Sequence, residues 1–154
     1  MFRLTVLLTG GLDSMNHVLR ADEEVADAVD VAMRTFDAVV GDGEPTLIKI
    51  DVEGFETEMI AGAERSLDAP DLLAVIMELN GSGHRYGFDE DALHRTMLER
   101  GFETFRYEPV ERRLESLDGA RSSSGNTLYV RDAAKLAERV RTAPRFRLGI
   151  GKEI

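Results

Sequence analysis

Short apolar runs alternate along this chain with stretches whose apolar positions recur every three or four residues. Residues 2–8 (FRLTVLL) read as a strand closed by Gly10-Gly11, and residues 29–33 as a second, weaker strand. Residues 35–40 predict a short helix, stopped by the turn-forming run Gly41-Asp42-Gly43-Glu44-Pro45. The β-rich segment 46–51 (TLIKID) ends on an acid. One helix is expected next: Phe55, Met59, Ala63 and Leu67 are spaced at four-residue intervals, Ile60 lies beside them, and Pro70 bounds the segment. Residues 72–77 (LLAVIM) are continuously apolar and stop at Glu78, as suits a strand covered on both faces.

The segment 89–100 has the clearest helix punctuation. Asp89 fits an N-cap, Glu90 and Asp91 occupy the first turn, Phe88 and Leu93 are spaced as a hydrophobic staple, and Gly101 follows the last turn. Residues 102–107 and 127–130 predict two strands joined by a polar loop, 118–126 (DGARSSSGN). Asp132 then caps a last helix that ends before Pro144. Alternating strands and helices imply βαβ units, hence an α/β fold with a mainly parallel, doubly wound sheet. The last two strands have no helix between them, which predicts an antiparallel pair near the carboxyl end. No internal repeat or boundary divides the 154 residues, so one domain is expected.

Composition narrows the function. An apolar fraction of 43% and a charged fraction of 31% are those of an ordinary globular protein. A membrane-spanning helix needs ~20 apolar residues, and the apolar runs here are far shorter. No secretory signal pattern opens the chain. The absence of cysteine excludes disulfides, thiolate nucleophiles and Cys-based zinc sites, and fits a cytoplasmic location. A net charge of −10 without a basic stripe argues against nucleic acid as a partner.

Ligands of open α/β sheets gather at the carboxyl ends of the strands. Two expected strand ends carry acids here. Asp51 ends one, with Glu53 and Glu56 just after it; Glu78 ends the other, followed by Asn80, Gly81, Gly83 and His84. If the two strands are neighbours, Asp51, Glu53, Glu78 and Asn80 face one crevice. Such a group suits a cationic ligand, a metal or a general base. Acids opening a helix are also favoured by its dipole alone, which accounts for Glu53 and Glu56 without any chemistry. His84 lies in a glycine-rich loop after a strand end, where a surface histidine needs no function. The spacings of His17, His84 and His94 match no zinc signature, Asp89-Glu90-Asp91 is explained by helix capping, and Ser122-Ser123-Ser124 lacks the G-x-S-x-G elbow. No metal is expected.

The run Leu47-Ile48-Lys49-Ile50-Asp51-Val52-Glu53-Gly54-Phe55-Glu56, followed by Met59-Ile60-Ala61-Gly62-Ala63, resembles the signature block of FkbM-type methyltransferases. That block reads K-I-D-V-E-G-x-E, then an apolar pair, then G-A. The upstream Thr35-Phe36-Asp37 and the apolar strand ending at Glu78 are similar to the family as well, and the resemblance spans about 31–130. It implies a Rossmann-like methyltransferase fold, S-adenosylmethionine as methyl donor, and O-methylation of a small-molecule or sugar-like acceptor. It also implies that Asp51 lies near the transferred methyl group, as a catalytic and cofactor-side residue. Glu53 and Glu78 rank next as catalytic candidates, and Asn80 and His84 as acceptor-binding ones.

The family's glycine-rich cofactor turn, roughly D/E-x-G-x-x-x-G, has no convincing counterpart. Thr9-Gly10-Gly11-Leu12-Asp13 lacks the preceding acid and the second spaced glycine, and only 48 residues precede Lys49. A chain shortened at its amino end is therefore expected, with doubtful cofactor binding and activity. An exposed sheet edge would then invite association between copies. The rival reading is a degenerate, non-catalytic α/β domain or partner subunit. A nucleotide- or sugar-binding domain is a third, weakened by the lack of any G-K-[ST].

Overall fold

The computed structural model describes residues 17–23, 28–123, 125–149 and 151, together with the backbone of residues 2–5. The elements run β1 (Phe2–Thr5), β2 (Ala28–Val31), α1 (Phe36–Val40), β3 (Leu47–Ile50), α2 (Glu56–Ala61), α3 (Glu64–Asp68), β4 (Ala74–Glu78), a 3₁₀ helix (Ser82–Tyr86), α4 (Glu90–Glu99), β5 (Glu103–Glu108), β6 (Arg113–Ser116), β7 (Asn126–Val130) and α5 (Ala133–Thr142). β1 and β2 form a separate antiparallel pair, with Phe2 opposite Val31. The expected Gly10-Gly11 turn lies outside the described residues.

The main sheet has the order β3-β4-β7-β5-β6. Only β3 and β4 are parallel; β4–β7, β7–β5 and β5–β6 are antiparallel. The expectation of a mainly parallel sheet is thus corrected to a mixed one. The physical reason lies after residue 103. β4 and β5 point the same way, but β7 inserts between them in the opposite direction, and β6 turns back from β5 through a short connection, too short for the crossover that a parallel neighbour needs. The antiparallel pairing of the segments around 102–107 and 127–130 is present, with Phe105 opposite Leu128. β6, which carries the charges Arg113 and Glu115, was not legible as a strand. Its side chains form ion pairs with Arg106 and with each other instead of an apolar face.

Alternation along the strands divides the core between the two faces. Ile48, Ile50, Val75, Met77 and Tyr129 pack under the helices through Ile60, Ala63, Leu67, Leu93 and Met97. On the opposite face Ala74, Phe105 and Val130 meet Leu128 and Leu136, the latter from α5. That second layer is thinner, and α5 has no buried residue.

The helix expected over residues 55–67 is two helices. Gly62 caps the first, and the carboxylate of Asp37 caps the second: its Oδ2 accepts from the Arg65 amide at 2.9 Å, and its Oδ1 accepts from the Ser66 amide at 3.1 Å and the Ser66 hydroxyl at 2.6 Å. Satisfying the free amides of a helix start in this way favours a break over continuation. A Cβ at Gly62 would lie 3.3 Å from Thr35, so the glycine lets α1 seat against the break. Thr35 in turn caps α1, accepting from the Ala38 amide. At the other end of α3, Arg131 donates to the carbonyls of Leu67 and Ala69 while lying 4.5 Å over the Phe102 ring, which satisfies the helix terminus and adds a cation–π contact. Asp89 and Asp132 cap α4 and α5 as their sequences predict.

The Thr104 hydroxyl, on a residue 1% exposed in β5, makes no hydrogen bond among the described residues. A buried polar group left unpaired destabilises. Thr104→Val, nearly the same shape without the hydroxyl, should raise unfolding stability by about 1 kcal/mol, seen as a higher midpoint in urea at an unchanged slope.

Candidate functional site

β3 and β4 are parallel neighbours, with Leu47 opposite Ala74 and Ile50 opposite Met77. Their carboxyl ends therefore lie side by side, and continuing the register one step brings Asp51 beside Glu78. Ile48 and Ile50 are buried on the helix side while Leu47 and Lys49 are exposed, so Asp51 follows them onto the α5 side of the sheet. An ion pair fixes it there: Lys49 Nζ is 3.0 Å from Asp51 Oδ2, with both side chains about half exposed. Glu78 shares that face with Ala74 and Ile76, and it lies close to Gly125.

The other sequence candidates go elsewhere. Glu53 occupies a left-handed turn at φ 50°, an uncommon conformation for a side chain, and its carboxylate is among the charges that act on the Tyr86 phenol. Asn80 accepts from the Ser82 amide through Oδ1, starting the 3₁₀ helix. With His84, Asp89 and Arg121 it lines a polar cavity of about 350 Å³. Apart from Glu53, the candidates form two groups. Asp51 and Glu78 are at the strand tips; Asn80 and His84 are in a separate cavity beside the start of α4.

Two buried acids that sequence reasoning assigned to helix ends hold these tips in position. Glu56, 3% exposed, accepts from the Gly54 amide at 3.2 Å and the Val52 amide at 3.4 Å, both through Oε1. Glu90, 5% exposed, accepts from the Gly81 amide at 3.0 and 2.9 Å and from the Gly83 amide at 2.9 Å. Each acid opens the helix after a parallel strand and grips the loop that leaves that strand. Arg121 closes the second unit, 3.6 Å from Glu90 and 2.8 Å from Asp91. The only hint in the sequence was position: each acid lies in the first turn of a helix that follows a glycine-containing loop.

The two loops are also pressed together. Gly54 has φ 97°, and a Cβ there would come within 2.6 Å of the Ser82 carbonyl oxygen and 3.0 Å of the Tyr86 ring. Phe55 packs edge to face on Tyr86 and Phe88, which are tilted against each other, with centroids 5.0–5.9 Å apart. The Tyr86 hydroxyl donates to the Val18 carbonyl at 2.7 Å, and burial raises its pKa. Beneath the polar cavity, His94 bridges the Tyr129 hydroxyl and the Gly119 carbonyl, each at 2.9 Å. The carbonyl can only accept, so Nε2 carries the proton and Nδ1 accepts from Tyr129. Burial pushes the Tyr129 phenol far above its usual range.

Two larger cavities flank β3. One of about 600 Å³ is mostly apolar and is bounded by Met33, Phe36, Val39, Val52, Phe55 and Met59, with Glu58 on its wall. The other, about 530 Å³, lies between α5 and the sheet and includes Lys49. Asp51 itself lines neither. No group of three or more potential metal ligands occurs among the described residues, and no described helix is long and apolar enough to cross a membrane.

The family model for the methyltransferase FkbM domain matches residues 3–104, about two thirds of the chain. No curated protein and no solved structure matches it.

The loop geometry generates two predictions. Gly54→Ala places a methyl group where Ser82 already sits and should cost at least ~2 kcal/mol of stability, measured by chemical denaturation. Burial raises the pKa of Glu56 above a glutamate's ordinary 4.5, so between those two values the folded chain keeps a proton that the unfolded chain has released. This residue's contribution therefore declines as pH rises from 4.5 through the raised folded value. Glu56→Gln keeps an accepting Oε1 and should fold within about 1 kcal/mol of the parent while losing that part of the pH slope; Glu56→Ala should lose about 2–3 kcal/mol. Unfolding curves at several pH values measure both.

Proposed function

Because the chain belongs to the FkbM methyltransferase family, we propose that it is an S-adenosylmethionine-dependent O-methyltransferase domain acting on a small-molecule or sugar-like hydroxyl. The observation that carries this reading is the pairing of two acid-bearing strand tips, Asp51 on β3 and Glu78 on β4, on one face of the sheet. A Rossmann-like architecture is supported by the parallel β3–α2–α3–β4 unit, with the helices packed on a single face.

The cofactor would supply a methyl group activated on a sulfonium. A nucleoside of that kind needs an apolar slot for its purine, a carboxylate for its hydroxyls and a glycine turn admitting close backbone approach. The cavity beside α1 offers the slot and Glu58. The glycines near it offer no approach: the space over Gly62 is taken by Thr35, and that over Gly54 by Ser82. The described residues therefore do not complete a site for this cofactor by themselves.

The acceptor side is better supplied. A hydroxyl reaching the strand tips would meet the Asp51 carboxylate, held by Lys49, and could be oriented and deprotonated there. Glu78 and Glu53 are the neighbouring candidates, and Asn80 and His84 could bind further polar groups of an acceptor in their own cavity. The incomplete cofactor site favours the second reading, a non-catalytic α/β partner subunit. β3 pairs only with β4 among the described residues, which leaves a backbone edge suited to a second copy. Negative charge makes nucleic acid an unfavourable partner.

Labelled S-adenosylmethionine and a panel of hydroxylated acceptors test the proposal. Methyl transfer is expected from the parent chain, with a loss of about 100-fold in Asp51→Asn. Near-normal turnover in the variant removes Asp51 from the mechanism. Absence of both turnover and calorimetric binding of the cofactor establishes the non-catalytic reading.

A further inference from the structure

The cavity of about 530 Å³ on the α5 side of the sheet has no part in the reading above, and its construction is specific. Its floor is Ala74 and Ile76 of β4 with Leu128 of β7, and its roof is Leu136 and Val140 of α5. Its polar groups are few: Lys49, Asn126 at the start of β7, and Arg106 and Tyr107 on β5. Lys49 stands at one end on β3 and Arg106 at the other on β5, where it is paired with Glu115. Three strand spacings separate β3 from β5 in the sheet order, so the cavity crosses roughly 14 Å of sheet.

We infer that this cavity binds a neutral, apolar-bodied alcohol or phenol whose hydroxyl is held by Lys49 at the β3 end, where the ammonium is paired with Asp51 just outside the lining. The inference rests on the proposed methyl-transfer reading for the meaning of that hydroxyl, but not for the binding itself. Three observations carry it. The volume falls within the range of small-molecule sites, and the apolar lining with few polar groups is what such a ligand requires. The roof matters most: α5 overhangs the floor, so a flat protein surface cannot enter between helix and sheet, whereas a small molecule can. Lys49, which lines the cavity, provides a donor, and the Asp51 carboxylate 3.0 Å from its Nζ provides an acceptor next to it. A net charge of −10 disfavours an anionic ligand. Most of the walls come from residues 106–140, beyond the family match ending at 104, so this pocket belongs to the part of the chain that can differ from relatives.

The probe is 2-naphthol, a two-ring body with one hydroxyl, titrated by its own fluorescence against the full chain without cofactor. One-to-one saturable binding is expected. Leu136→Trp fills the cavity from the roof and should weaken binding at least about tenfold, with folding of the variant checked by circular dichroism. Val39→Trp, in the cavity beside α1, should leave binding intact. Lys49→Met keeps the stem but removes the rim donor, and should weaken 2-naphthol several-fold while leaving naphthalene unaffected. Binding lost in Val39→Trp but kept in Leu136→Trp, or no saturable binding at all, overturns the inference. So does sedimentation showing a dimer that Leu136→Trp dissolves, because a second copy then covers this face. Failure of methyl transfer with naphthol binding retained sinks the proposed activity and leaves the pocket standing.

Discussion

Burying a carboxylate is costly, and this chain does it twice in equivalent places. Glu56 and Glu90 each leave water at the start of a helix and set against that cost the amide groups of the loop behind them. Ionised carboxylates accept such bonds strongly, and the helix start favours negative charge. The result is that neither loop leaving the parallel pair is free to choose its course. The turn at Glu53-Gly54 and the 3₁₀ segment after Asn80 are both drawn onto their own helix, and they then meet through Gly54 and Ser82. Everything at the sheet's carboxyl edge, including the positions of Asp51 and Glu78, is referenced to those two acids.

This alters how the family-like block is understood. Among its letters, Ile48 and Ile50 belong to the core, Gly54 to a close contact, and Glu56 to loop anchoring. Of its polar letters, Lys49, Asp51 and Glu53 remain open to solvent or partly so. A block can therefore be diagnostic of a family while most of it serves architecture. The same holds for Thr35-Phe36-Asp37, where Thr35 caps one helix and Asp37 another. Chemistry in this region has to come from a small remainder, and the Lys49–Asp51 pair is the part of that remainder held in a defined geometry.

Legibility followed the range of the forces involved. Elements governed by local pattern were readable: β3 and β4 from their apolar runs, α4 and α5 from Asp89 and Asp132. Features governed by distant partners were not. The split at Gly62 depends on Asp37, twenty-eight residues before Arg65. β6 is held by cross-strand ion pairs with Arg106, which carry no hydrophobic alternation. β5 keeps the direction of β3 and β4, but β7 inserts between β4 and β5 the other way and β6 turns back from β5, so extrapolating from the β3–β4 unit overstated the parallel pairing. In the site, adjacency of the two acid-bearing strands was readable, but the grouping of Asn80 and His84 away from Asp51 was not. That separation is produced by Glu90 drawing the second loop toward α4.

The contact between Gly54 and Ser82 has a mechanical consequence. With no room for even a methyl group between the two backbones, and three aromatic rings wedged around them, the loops cannot slide past each other independently. Movement imposed on one strand tip is handed to the other without slack. Any molecule that pushes on the rim works against a single stiff body rather than two separate fingers.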